Sequence, residues 1–193
     1  AIGIAELNAD GTLTQIAPVT GAQYDEISDL TSVNVGGQDF LVALAAGSAD
    51  RMTAFQINSD GTLTETDFVV DGSGTGENYL DNLGSDGDTV LESFTNSSGE
   101  SFIMAGGEEN GISLWTIDGA GQLTFENARG DGQAGAGDTD PQGNDLGRDL
   151  VVPAAMGLTD AEAAVFTEID GQTYLFVGGL DDDIDIFRID PDT

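Results

Sequence analysis

The sequence contains no cysteine, no histidine and no lysine. Without cysteine the chain has neither disulfide bonds nor thiolate zinc sites. Without histidine it lacks the usual general base of enzymes and the usual ligand of transition metals. It also has no apolar run near the roughly 18 residues that a membrane-spanning helix needs, so insertion into a membrane is not expected.

Positive charge is almost absent, because four arginines are the only cationic side chains against 36 acidic ones. The formal net charge is therefore −32, which opposes compaction unless cations screen or bind it. Nucleic acid and anionic membrane surfaces are not expected as partners. High salt and millimolar calcium outside a cell both fit this charge. We therefore expect an extracellular protein, secreted or at the cell surface, from a halophilic or marine setting.

The acids are mostly aspartate, with 25 aspartates against 11 glutamates. Aspartate suits turns and calcium loops, whereas glutamate suits helices. The chain also begins without Met and within a strand-like pattern. From this we expect a processed product or a piece of something longer.

A hairpin that is followed by a turn of the form Asp-Gly-x-Leu-Thr recurs along the chain. The copies are residues 40–64, residues 102–124, residues 174–192, which stop at the chain end before the turn, and, as the back half of a fourth, residues 1–14. Phe55, Trp115 and Phe187 then hold one position, with spacings of 60 and 72 residues. Repeats of this length with about four strands each indicate a β-propeller. The alternative is a β-sandwich whose internal similarity is accidental.

The predicted fold is all-β, with about three to four blades' worth of four-stranded antiparallel sheet. The segments are a partial blade at 1–19, a blade at 30–70, a blade at 89–127, an acidic Gly/Asp-rich insertion at 128–157 and a partial blade at 159–193. The four blade segments contain two, four, four and three predicted strands. Both partial blades include the third strand of the unit, so they cannot combine into one blade. We therefore expect another chain, or the rest of a longer parent chain, to complete the blades.

The blade motif resembles two groups of propellers. It reads φ-x-φ-x-x-Asp-Gly-Thr-Leu-Thr, where φ is apolar, followed by Gly-x-x-[Phe/Tyr]-Leu-[Phe/Val]-Val and an acidic turn. One group is the lactonase-type seven-bladed propeller. The other is the acidic, lysine-poor propeller repeats in large secreted proteins of marine and RTX-type bacteria, often beside calcium-binding nonapeptide repeats. The resemblance covers nearly the whole chain and implies fold rather than activity; no catalytic set of the lactonase group can be matched, and the charge fits the secreted group better.

The strongest local motif is the segment 138–149, DTDPQGNDLGRD. Counted from its first residue, it has acids at positions 1, 3 and 12, an amide at 5 and glycine at 6, close to the calcium loop of EF-hands. The predicted calcium ligands are Asp138, Asp140, Gln142, Asn144 and Asp149. Gln142 stands where Asp or Asn is usual, and Asp149 stands where the longer Glu is usual. The alternative is a solvated acidic loop.

Acidic turns between the second and third strands of the units are a second candidate for cations. They contain Asp50, Asp181, Asp182 and Asp183, with Asn110 at the equivalent place in the middle unit. In a propeller these turns lie on one rim, where clustered negative charge could hold cations. The alternative, which we favour, is ordinary hairpin turns, because such turns prefer Asp and Asn anyway.

Catalysis finds little support in the sequence. There is no Gly-x-Ser-x-Gly elbow, four arginines are a poor basis for a phosphate clamp, and 36 acids leave no pair that can be selected for a glycosidase. Trp115 is expected in the blade core rather than on a sugar platform. We predict a calcium-binding propeller that acts as a structural, adhesive or assembly module. The alternative is a segment of a calcium-dependent lactonase-like or esterase-like hydrolase whose catalytic residues lie outside this chain.

Overall fold

A computed structural model of the chain describes residues 1–45, 51–70, 89–107, 111–130, 150–151, 161–179 and 184–190. These residues form an all-β fold of four antiparallel sheets. This confirms that the chain is all-β, and the propeller stays a prediction. The one helical element among them is a single 3-10 turn, Ala22–Tyr24. No helix in the described part of the chain is long and apolar enough to span a membrane.

The strands are numbered along the chain and grouped here by sheet. The first sheet pairs β1 (Ile2–Leu7) with β2 (Leu13–Val19). The second sheet has the spatial order β3 (Ile27–Val35), β4 (Gln38–Ala45), β5 (Arg51–Ile57) and β6 (Leu63–Val70). The third sheet has the order β7 (Thr89–Thr95), β8 (Ser101–Gly107), β9 (Gly111–Ile117) and β10 (Leu123–Gly130). The fourth sheet has the order β12 (Ala161–Ile169), β13 (Gln172–Gly179), β14 (Ile184–Ile189) and β11 (Leu150–Val151).

The repeated Asp-Gly turn joins the last two strands of the first and second sheets. Between β1 and β2, the Asp10 carboxylate accepts a bond from the Thr12 amide at 3.0 Å and another from the Thr12 hydroxyl at 2.6 Å. Gly11 follows with a φ of 83°, a conformation that glycine adopts without steric cost. Asp60 makes the same two bonds in the second sheet, at 3.0 and 2.6 Å. The turn chemistry predicted from the motif is therefore local, and each turn encodes it independently.

The fourth sheet has one strand more than the sequence predicted. We expected three strands from the segment 159–193, and the structure adds the short strand β11, which pairs with β14 through Leu150↔Ile189 and Val151↔Arg188. The strand comes from within the segment 128–157, which we had assigned to an insertion. A two-residue strand pairing with a partner far along the chain leaves no local pattern, because strand periodicity needs a longer run.

Successive sheets pack face to face, and each interface has its own apolar core. The first interface joins Ile2 of the first sheet to Ala43 and Phe55 of the second. The second interface joins Val42 and Met52 of the second sheet to residues of the third, and the third interface joins the third sheet to the fourth. The first strands of the last three sheets, β3, β7 and β12, are neighbours in that order. The described residues thus form an open stack of four sheets.

Trp115 lies in the core, as the repeat alignment predicted. Only 3% of it is exposed, and its ring meets the Phe125 ring edge-on with 5.1 Å between the centroids. The indole Nε1 donates a hydrogen bond of 2.9 Å to the Ser113 hydroxyl. A buried indole with its one donor satisfied is a packing residue, so Trp115 is not available as a platform for sugar.

Candidate functional site

The predicted calcium ligands all lie outside the described residues. This holds for the loop residues Asp138, Asp140, Gln142, Asn144 and Asp149, and for the turn residues Asp50, Asp181, Asp182 and Asp183. Within the part of the chain that the structure describes, no group of three or more acidic side chains is placed to hold a metal ion. Calcium binding by either set stays a prediction.

Several described acids contact the backbone of the next sheet. The Asp29 carboxylate on β3 accepts a hydrogen bond of 2.8 Å from the Leu91 amide on β7. The Asp67 carboxylate on β6 accepts one of 2.8 Å from the Leu123 amide on β10. Bonds to a charged acceptor are stronger than neutral ones, so these acids join the second and third sheets at their two opposite edges.

Glu168 makes the corresponding contact between the third and fourth sheets. Its carboxylate accepts hydrogen bonds from the hydroxyl of Ser97 and from the Ser97 amide, the latter at 2.6 Å. These two bonds, the hydroxyl first, lower the pKa of Glu168 below its ordinary value. Part of the acidity of the chain therefore serves sheet-to-sheet attachment rather than ion binding.

Hydroxyl groups line the contact between β3 and β7. The Thr31 and Ser93 hydroxyls are 2.8 Å apart, and the Ser93 hydroxyl also donates to the Ser32 carbonyl at 2.9 Å. Glu92 lies next to Ser93 on β7. Burial raises the pKa of its carboxyl, and the nearby charge of Asp29 raises it further by a smaller amount. Short polar side chains let these two strands approach closely while their backbone and hydroxyl groups remain hydrogen-bonded.

The two arginine side chains that the structure describes are both paired with acids. Arg51 is buried, donates 3.0 Å to Glu65 and stacks 3.8 Å above the centre of the Phe68 ring. Tyr24 donates its hydroxyl to the same Glu65 carboxylate, and burial raises the pKa of that phenol. Arg188 makes two bonds of 2.7 Å to the Asp190 carboxylate. Both described arginines are therefore already paired with carboxylates and do not offer a binding site for an anion.

Two clefts are lined mostly by residues at the strand ends and turns. One, of about 460 Å³, lies between the first and second sheets, and the other, of about 350 Å³, is lined by residues of the third sheet and by Val35 of the second. The acids that line them are Glu6 and Asp60 in the first cleft and Glu100, Asp118 and Glu126 in the second. Because no cationic side chain lines either cleft, an anionic ligand is disfavoured.

The fourth sheet presents an apolar face to solvent. We call it the following face, because the same face of the second and third sheets contacts the next sheet of the stack. Its residues on β13 and β14 are Tyr174, Phe176, Ile184 and Ile186. Ile184 is 71% exposed and Ile186 is 44% exposed. Large apolar side chains gathered on one face are a frequent sign of an interaction surface.

The strand register shows what these positions do in the other sheets. Phe176 pairs with Ile186 just as Met104 pairs with Leu114 in the third sheet and Val42 with Ala54 in the second. The four residues of the two inner pairs are fully buried, with 0% exposure. They form the cores between the second and third sheets and between the third and fourth. The following face of the fourth sheet is therefore a core surface without a covering sheet among the described residues.

The first sheet exposes the opposite face, which we call the preceding face. Its residues are Ala5, Leu7, Leu13 and Gln15, which pair as Leu7↔Leu13 and Ala5↔Gln15. Leu7 is 71% exposed and Leu13 is 70% exposed. The equivalent pair of the third sheet, Ile117↔Leu123, packs into the core against the second sheet. The two ends of the stack thus expose the two halves of one kind of interface.

Comparison with known proteins adds little to this geometry. No family model matches the chain, and no curated protein matches it. A crystal structure of a Bifidobacterium bifidum protein named as an exo-beta-1,3-galactanase matches the whole chain with 11% sequence identity and a TM-score of 0.42. The chain spans 57% of the length of that protein.

Sequence reasoning predicted the repeat but missed both exposed faces. The signal was present, since spacings of 60 and 72 residues align Ile184 with the buried Met52 and Ile112. Finding the faces required knowing which sheet is the last in the stack. The acids that join the sheets, Asp29 and Asp67, had no signal in the sequence, because each differs from a solvated aspartate only in what lies beside it.

Proposed function

We propose that this chain is an acidic, extracellular β-propeller segment that binds calcium and acts as a structural, adhesive or assembly module. The observation that carries the proposal is the stack of sheets with repeated register, left open at both ends by apolar faces. A module built by adding equivalent sheets is suited to extension by further sheets. The blade motif of the sequence supports a propeller as the form of that extension.

The calcium part of the proposal follows from the charge and from the loop at 138–149. A net charge of −32 opposes the close approach of like surfaces. Calcium bound by hard oxygen ligands would offset part of that charge and give a loop rich in glycine and aspartate a fixed shape. Assembly in calcium-rich surroundings and separation in their absence follow from this electrostatic balance.

The test is calcium binding by the purified chain, measured by isothermal titration calorimetry at about 5 to 10 mM calcium. The decisive variant is Asp138→Asn with Asp140→Asn, which removes two carboxylates of the loop. A matched control is Asp10→Asn with Asp60→Asn, which makes the same change in net charge in two exposed turns. We expect the loop variant to lose at least about tenfold in calcium affinity and the control to bind like the wild type.

Magnesium and sodium chloride at matched ionic strength separate specific binding from screening. If they reproduce every effect of calcium, or if the loop and control variants bind calcium equally, the calcium function is wrong. The acidity then serves only to keep the chain soluble in salt.

A further inference from the structure

We propose that copies of this chain associate head to tail, with the following face of the fourth sheet of one copy packed on the preceding face of the first sheet of the next. The inference names the partner for the assembly role proposed above and rests on it. It concerns the two exposed faces defined by Tyr174, Phe176, Ile184 and Ile186, and by Ala5, Leu7, Leu13 and Gln15.

The chain itself contains this interface in covered form. Between the second and third sheets, a following face bearing Val42 and Ala54 packs on a preceding face bearing Trp115 and Ile117. The interface between the third and fourth sheets has the same register. Each end of the stack therefore carries one partner of a kind of interface that forms three times among the described sheets. A second copy carries both missing partners. Its preceding face complements the following face of the first copy, and its following face complements the preceding face of the first copy.

Charge separates these two faces from the rest of the molecule. None of the eight side chains that define them is acidic, in a chain with 36 acids among 193 residues. The acids of β1 and β14 lie on the opposite faces of their sheets: Glu6 pairs with Thr14 on the side of Ile4, and Asp185 pairs with the core residue Val177. Glu168 on β12 is bonded to Ser97 of the third sheet. Arg188 stands next to Tyr174 across the strands, and its charge is paired with the Asp190 carboxylate. Two faces formed mainly by uncharged side chains can approach each other with less repulsion than two acidic surfaces.

The geometry makes the contact heterologous, because it joins two different surfaces rather than one surface to itself. Such contacts generate closed rings or open filaments according to the rotation between copies. Remaining negative charge still repels, so association is strongest in high salt or in calcium, where that repulsion is screened. The association is therefore expected to rise with ionic strength, as an apolar contact between acidic bodies does.

Complementation between two variants tests the proposal. Ile186→Asp damages only the following face, and Leu7→Asp damages only the preceding face. Leu30→Asp is the matched control, because Leu30 is 45% exposed on β3 and belongs to neither face. Analytical ultracentrifugation in about 1 M sodium chloride, where charge is screened, measures the size of each protein and of mixtures. Circular dichroism verifies that each variant keeps its strand content.

We expect the wild type and Leu30→Asp to associate alike. Each face variant alone should show a dissociation constant raised at least about 30-fold, because a carboxylate would have to enter the apolar contact. An equimolar mixture of Ile186→Asp and Leu7→Asp should form a heterodimer and stop there, because the two variants together retain one intact interface. Association of one face with itself cannot produce this pattern.

Three outcomes would overturn the proposal: a monomeric wild type in salt and in calcium, a mixture that fails to pair, or face variants that associate like the control. These outcomes are separate from those of the calcium titration. A chain that binds calcium through the loop at 138–149 but stays monomeric keeps the proposed calcium function and loses head-to-tail association. A chain that pairs by complementation without binding calcium does the reverse.

Discussion

The third and fourth sheets come from the same repeat, yet one is covered on both faces and the other on one. Leu114 in the third sheet and Ile186 in the fourth stand 72 residues apart at the same register position. Leu114 is 0% exposed and Ile186 is 44% exposed. The residue type is apolar in both cases, so its pattern in the strand does not determine burial. What differs is that, among the described residues, a further sheet packs on the third sheet and none packs on the fourth.

The first sheet, at the other end of the stack, shows the same dependence of burial on a neighbouring sheet. Its Leu7↔Leu13 pair is largely exposed, whereas the equivalent Ile117↔Leu123 pair packs against the second sheet. The exposed face there is the preceding one, because none of the described sheets packs against it. An apolar residue at a repeat position is therefore buried only when the neighbouring unit covers it.

The largest effect should come from truncating the covered member of the equivalent pair. We expect Leu114→Ala to lower the free energy of unfolding by about 2 to 5 kcal/mol, since it leaves a cavity among buried side chains. Ile186→Ala should cost less than about 1 kcal/mol in the monomer, because its side chain is already partly in water. Urea denaturation of both variants at low protein concentration measures the difference. Equal costs would mean that the following face of the fourth sheet is covered within the chain.

A smaller effect is expected in the turns. Gly121 and Gly11 occupy equivalent turns of the third and first sheets, with φ of 77° and 83°. A Cβ at Gly121 would lie 2.6 Å from the Phe40 ring of the second sheet, whereas a Cβ at Gly11 meets nothing within 4 Å. Gly121→Ala should cost about 2 to 4 kcal/mol from strain and overpacking together, and Gly11→Ala about 1 kcal/mol from strain alone. Thermal unfolding of the pair decides whether the neighbouring sheet is responsible.

The smallest effect concerns the hydrogen bonds between Glu168 and Ser97. Because folding lowers the pKa of Glu168 below its ordinary value of 4.5, its contribution is present above that value and is lost as pH falls through the folded pKa. The difference in melting temperature between wild type and Glu168→Gln should therefore be greatest near neutral pH and should vanish below the folded pKa, where the carboxyl is protonated in both states. Glu162→Gln, an exposed change in the same strand, is the control. A difference that does not depend on pH would contradict the role of the carboxylate charge.

The structure bears out those parts of the sequence analysis that depend on neighbouring residues. The Asp-Gly turns form as predicted, because Asp10 and Thr12 make their bonds within three residues. The strands of the repeat follow the apolar pattern, and Trp115 enters the core through it. The short strand β11 was missed, because two residues are too few to show a period.

The candidate sites also differ in whether neighbouring residues along the chain were enough to predict them. A calcium loop was predicted at 138–149 because the expected ligands are spaced within twelve consecutive residues, and it stays a prediction that the titration can decide. The exposed faces were not found, although Ile184 and Leu7 stand at positions that the repeat marks as apolar. Their exposure depends on the position of their sheets at the two ends of the stack, which no local pattern contains.

By itself the sequence determined the repeat, the turns, the strand faces and the strongly acidic surface, since each follows from residue type and spacing within a few tens of residues. Only the tertiary structure decided which faces are covered, which acids join one sheet to the next, and where the outer strand of the fourth sheet comes from. The physical reason is that burial and hydrogen bonding between sheets depend on partners distant along the chain. Asp29 shows the difference, because its role depends on the Leu91 amide of the next sheet, and nothing beside it in the sequence indicates that contact.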